Sequence, residues 1–163
     1  MNTKDIPNDF FIEMKKYLKK YRYLQAEIND LEEEILNNSK FDINSGTRSK
    51  NKICSTVENQ AIALASSKEL EIIKAWKNSI DDLLVYYIND PVKLKFLKRR
   101  YIDYKLVHYK ARNMIKDLDV IKDLELEGHL YSLIQWKRWK AEMYYNLYQI
   151  VKENKIIKKY YKF

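Results

Sequence analysis

Tyr131-Ser-Leu-Ile-Gln-Trp-Lys-Arg-Trp-Lys-Ala-Glu-Met143 is the stretch from which the rest of the chain is read. Ser132 stands where a helix N-cap belongs, because a serine hydroxyl accepts a hydrogen bond from a free backbone N–H one turn on. Trp136, Trp139, Met143, Leu147 and Ile150 recur at steps of three and four. That spacing puts them on one stripe of a helix and predicts that the stripe is buried. Gln135, Lys137, Arg138 and Lys140 fall largely off it. Amide and guanidinium groups make paired hydrogen bonds to base edges in the major groove of DNA. The pattern fits the second helix of a helix-turn-helix; it also fits an ordinary amphipathic helix with a basic outer face. The flanking sequence separates the two readings.

Upstream, Gly128 supplies a residue able to adopt positive φ, a common helix stop, four residues before Ser132. Before it, Met114, Ile115, Leu118, Ile121 and Leu124 predict a helix over about 107–126. Before that, Asp90-Pro91 reads as a cap followed by the residue best tolerated at the first helical position. The helix it opens, 91 to about 104, is expected to bury Val92, Leu94, Leu97 and Tyr101, with Phe96 nearby. Its other face would present Lys93, Lys95, Lys98, Arg99 and Arg100 to solvent or phosphate. Helix, glycine turn and capped basic helix form the helix-turn-helix signature. The division of labour that follows gives phosphates to Lys98, Arg99, Arg100 and Arg112. Bases or nearby phosphates go to Gln135, Lys137, Arg138 and Lys140, on the helix that Ser132 opens.

The N-terminal half reads differently. Met14, Tyr17, Tyr21, Leu24, Ile28, Leu31 and Ile35 alternate steps of three and four within a predicted helix over 8–36. This is the seam of a coiled coil or a narrow helix pair. Residues 37–54 form a linker rich in Asn, Ser and Lys, in which Arg48, Lys50 and Lys52 are open to phosphate or to solvent. Ser55-Thr-Val-Glu58 is a capping-box pattern. The helix it opens is expected to run to about Asn89, with Ile73, Trp76, Ile80, Leu83 and Tyr87 on its stripe. The two seams allow an intramolecular antiparallel hairpin or a homo-oligomer through the N-terminal helices. The closing KIIKKYYKF is read as a frayed, solvated tail, with helix extension or a run along a phosphate backbone as alternatives.

Charge divides along the same line. Residues 1–90 carry 13 Lys and Arg against 15 Asp and Glu, a net of −2; residues 91–163 carry 18 against 8, a net of +10. Such asymmetry is the electrostatic footprint of a polyanion-binding module. Two Gly and two Pro in 163 residues leave long helices uninterrupted. The fold expected is all-α: a long antiparallel helical hairpin or coiled-coil arm (1–89), then a basic helix-turn-helix domain (90–163).

Other chemistry finds little to stand on. The lone Cys54 makes no internal disulfide, and Cys54 with His108 and His129 makes no cysteine-rich zinc site, so no metal and no cofactor is expected. Asp81 and Asp82 are adjacent and diverge on a helix, so they are no carboxylate pair. With two glycines there is no glycine-rich phosphate loop, and no nucleophile and base stand at helical spacing. The reading is non-enzymatic. No run approaches the roughly 18 apolar residues of a membrane span, and MNTKDIPNDF lacks the apolar core of a signal peptide. A soluble protein of the bacterial cytoplasm, without a membrane partner, is the expectation.

Three local patterns, in order, carry a family resemblance over roughly residues 55–152. Ser55-Thr-Val-Glu-Asn-Gln-Ala-Ile62 resembles the Ser-x-Pro-Thr-Glu segment that opens the middle helix of the phage late-gene transcriptional activators of the RinA/ArpU group, with Val57 in place of the proline. Leu97-Lys-Arg-Arg-Tyr101 is similar to that family's basic helix ending in Tyr. Ser132 with Arg138-Trp139-Lys140-Ala-Glu-Met143 resembles the Ser and the Arg-Trp-Arg/Lys-x-Glu-Ile core of its recognition helix. The stretch between Tyr101 and Ser132 is longer than is usual in the family. The resemblance implies a helix-turn-helix like the C-terminal region of sigma factors. It implies sequence-specific double-stranded DNA as partner, RNA polymerase as a further one, and activation of phage or prophage late genes as the role. Alternatives are the small subunit of a phage terminase and a non-enzymatic helical adaptor.

Overall fold

The computed structural model describes residues 6–41, 56–103 and 116–161. These residues are almost wholly helical and contain no strand, so the all-α expectation holds. The helices are α1 (Asn8–Phe41), α2 (Thr56–Ser66), α3 (Lys68–Tyr86), α4 (Pro91–Leu97), α5 (Asp117–Leu126), α6 (Leu133–Glu153) and α7 (Lys155–Tyr160). A π-helical turn, Lys98–Ile102, continues α4. Among the described residues no helix is long and apolar enough to cross a membrane.

The apolar stripes place the helices. On α1, Met14, Tyr17, Leu24 and Ile28 are buried, and Tyr21, Leu31 and Ile35 pack against the core from its edge. With no Gly or Pro inside it, α1 runs five residues past its expected end at 36, and at 1.5 Å per residue spans about 50 Å. On α3, Ile73, Trp76, Ile80 and Leu83 are buried, as is Tyr87 just beyond it. The single helix expected over 55–89 is two, broken at Ser67. That residue is extended (φ −73°, ψ 104°), and its hydroxyl accepts the Leu70 N–H. Glu69 and Glu71 in the first turn of α3 complement the positive end of the helix dipole. Asp90 and Pro91 open α4 as expected, with the Asp90 carboxylate accepting the Lys93 N–H at 3.2 Å. The helix expected over 107–126 does not run through: Lys116 is extended (φ −104°, ψ 163°) and α5 starts after it.

Packing joins the two halves of the chain. Trp76, fully buried, stacks on Tyr17 (4.6 Å between ring centres, 10° between planes) and meets Phe10 and Tyr161. Phe11 packs edge-on against Tyr144 of α6. Asn146 Nδ2 donates to the Tyr87 hydroxyl at 2.7 Å, and the Tyr101 and Tyr144 hydroxyls pair at 2.8 Å. The buried residues of α1, α3, α4, α5, α6 and α7 therefore belong to one apolar cluster that crosses residue 90.

The C-terminal stretch differs from a frayed tail. The Asn154 side chain accepts the Ile156 and Ile157 N–H groups and donates to Ser79 Oγ at 3.2 Å, which starts α7 and ties it to α3. Ile157 is fully buried, and Tyr160 and Lys159 both bond the Glu71 carboxylate. The apolar pair Ile156-Ile157, followed by two cations that reach carboxylates, is what holds the segment down.

Candidate nucleic-acid interface

The site is built on the start of α6. The chain leaves α5 through a glycine-terminated stop: Gly128 has φ +88°, His129 N–H donates to Leu124 O at 3.1 Å, and Gly128 N–H to Glu125 O at 3.0 Å. These two bonds satisfy carbonyls that the helix end leaves open, and the positive φ favours glycine. Ser132 is extended (φ −67°, ψ 152°) and its hydroxyl accepts the Gln135 N–H at 3.2 Å, so it is the N-cap. Trp136 then fixes the helix. It is 2% exposed, stacks on Phe96 at 5.3 Å, and is met edge-on by Tyr131 and Trp139. Met143, Leu147 and Val151 continue the buried stripe; Trp139 and Ile150 lie at its edge.

At about 100° per residue, the side of α6 opposite that stripe carries positions 134, 138 and 141, with 137 on the flank, while Leu133 lies about 60° from Trp136, beside the stripe. Leu133, Ile134, Lys137 and Arg138 are exposed, and Ala141 is half-buried. Lys137 and Arg138 make no ion pair among the described residues. Gln135 falls on the flank and is half-buried. Lys140 lies toward the core side, where it is paired with Asp117 and sits 5.9 Å from the centre of the Tyr144 ring.

The basic run of α4 is spent largely inside the molecule. Arg99, expected at the surface, is 8% exposed; it pairs with Asp123 at 3.0 Å and with Glu127. Arg100 pairs with Asp117 at 2.7 Å, so Arg100 and Lys140 meet on one carboxylate. Lys95 pairs with Glu127 and Lys93 with Glu142. The cause is the acidic residues of α5 and its C-cap that face the run. Lys98 alone among Lys98, Arg99 and Arg100 is exposed and without an ion pair among the described residues. Arg112, with the linker residues Arg48, Lys50 and Lys52, lies outside the described residues.

Proton affinities follow the same pairings. Hydrogen bonds from Arg99 and then Lys95 hold the Glu127 carboxyl down at about 2. Burial works to raise Asp117, but the hydrogen bonds from Lys140 and Arg100 outweigh it and keep that carboxyl below its ordinary range. Both carboxylates are charged at neutral pH and neutralise the cations that face them.

Leu133 and Ile134 were not among the residues expected at the site. The phase of Ile134 relative to Trp136 was readable, whereas Leu133, three residues before Trp136, falls beside the buried stripe and is nonetheless exposed at the head of the helix. Apolar side chains at the head of a helix read more readily as core. Beside them, a cleft of about 290 Å³ opens between α4, α5 and α6, lined by Phe96, Leu118, Ile121, Leu133 and Trp136, with Asp117, Lys137 and Lys140 also on it. No family model, no curated protein and no solved structure matches the chain.

Proposed function

We propose that the chain is a sequence-specific double-stranded DNA-binding transcriptional regulator of the phage or prophage late-gene activator kind, and that α6 enters the major groove by its N-terminal turns. The observation that carries this reading is the pair Lys137 and Arg138, exposed and without an ion pair among the described residues, near the start of a serine-capped helix. In helix-turn-helix proteins the N-terminal residues of the second helix contact base edges. A guanidinium there can make two hydrogen bonds to a guanine. Lys98, exposed and without an ion pair among the described residues, supplies a phosphate contact in this reading. Arg99, Arg100 and Lys140 act through the fold, holding α5 and α6 against the basic turn.

The test is selection of duplexes from a random-sequence pool by the full chain at near-physiological salt, where nonspecific phosphate binding is weakened. One enriched motif is the expected result. On that motif Arg138→Ala costs about 1–3 kcal/mol and relaxes preference at one position, whereas Lys98→Ala weakens selected and scrambled duplexes alike. Recovery of the input pool unchanged is the result against it. An enriched motif that maps within packaging genes, with a ring of chains in solution, favours the terminase small subunit. The exposed Val85, Tyr86 and Ile88 at the end of α3 favour a second reading, a helical adaptor. Binding without any sequence preference would leave that one standing.

A further inference from the structure

We propose that Leu133 and Ile134 read thymine, by seating their side chains on the 5-methyl groups that thymine alone carries into the major groove. This rests on the DNA-binding reading above. Leu133 is 52% exposed and Ile134 65%, at the first two positions of α6. Single exposed aliphatic residues are ordinary, but Leu130 (80% exposed) and Tyr131 (40%) lie in the turn just before them. Together they form the kind of exposed apolar patch that marks a contact surface.

The charges on the same face select the occupant. Lys137 follows Leu133 by one turn and Arg138 follows Ile134 by one turn, so each aliphatic side chain has a cation behind it on its own row. Nearby carboxylates are already engaged: Asp117 by Arg100 and Lys140, Glu127 by Arg99 and Lys95. A face of two aliphatic tips backed by cations without an ion pair among the described residues suits an anionic surface with apolar points in it. A duplex major groove offers that only where thymine stands, because guanine, adenine and cytosine present nitrogen and oxygen there without a methyl. From Leu133 to Arg138 the helix rises about 7.5 Å. The thymines therefore fall within about two or three base-pair steps of the base that Arg138 meets.

The test replaces each thymine of the selected duplex in turn by deoxyuridine, which deletes only the methyl, and measures Kd for the full chain. The expected result is a loss of about fourfold per contacted methyl, the worth of one buried methyl-sized group, at one or two adjacent positions. Leu133→Ala and Ile134→Ala, both at exposed sites, then bind the thymine and deoxyuridine duplexes equally while keeping the wild-type melting temperature. Selection of one motif with no effect of any deoxyuridine overturns the inference and leaves DNA recognition intact. Failure to select any motif overturns both. If the two variants keep full discrimination of thymine from deoxyuridine, the methyls are read elsewhere, the aliphatic tips belong to a protein contact, and the inference is wrong.

Discussion

Trp136 and Trp139 show how far a single residue can be assigned from its neighbours. Both lie on the stripe of three- and four-residue steps, and the sequence treats them alike. In the fold Trp136 is buried against Phe96, whereas Trp139 stands at the rim between Tyr131 and Lys93, whose ammonium is 5.5 Å from the centre of its ring. Trp136→Ala should therefore cost about 3–5 kcal/mol in urea unfolding. Trp139→Ala should cost about 1–2 kcal/mol, mainly from lost ring contacts. Equal costs would place both rings in the core. The stripe itself was legible because burial follows helical phase. The difference between its members was not, because phase says which side a residue takes and not how deep its neighbours close over it. Arg99 has the same lesson with the opposite sign: a basic residue in a basic run reads as solvent-facing, and only the carboxylates of Asp123 and Glu127 make its burial tolerable.

At the scale of elements, the cations of α4 and its π turn hold α5 in place through Asp117, Asp123 and Glu127. Glu127 binds its proton more weakly in the folded chain, at about 2, than at its ordinary 4.5. Its contribution is therefore complete above pH about 4.5 and is lost as pH falls toward about 2; Asp117 has the same sign. Glu127→Gln is expected to flatten the fall in melting temperature across that interval. Equal pH profiles for Glu127→Gln and the wild type would show that the Arg99 and Lys95 pairs hold nothing. Helix existence was largely legible: α1, α3, α4 and α6 carry the stripes or caps assigned to them. The interruptions were not. Ser67 offers its hydroxyl to a backbone N–H and so competes with a continuing helix, a local choice that a long apolar period hides. The π turn at Lys98–Ile102 carries no capping residue or glycine that marks it in the sequence.

Across the whole molecule, one core serves both the N-terminal helices and the basic half, and Asn154 is a junction in it. Its side chain caps α7 and also reaches Ser79 and Ala75 of α3. Asn154→Ala should lower stability by about 2 kcal/mol, near the upper range for a lost cap because a cross-helix bond goes with it. A melting temperature equal to that of the wild type would mean that α7 adds nothing to the fold. The net charge of the C-terminal half also reads differently at this scale, since Lys95, Arg99, Arg100 and Lys140 are paired with carboxylates of α5 and its C-cap. Finally, α6 is a 21-residue rod, about 30 Å long. From Met143 to Val151 it is clamped inside the core, and its Asn146 is bonded to Tyr87. Its tip cannot swivel unless that grip is broken from within. Whatever meets Leu133 to Arg138 meets a surface whose bearing was set when the chain folded, so little orientational entropy is left to lose on contact.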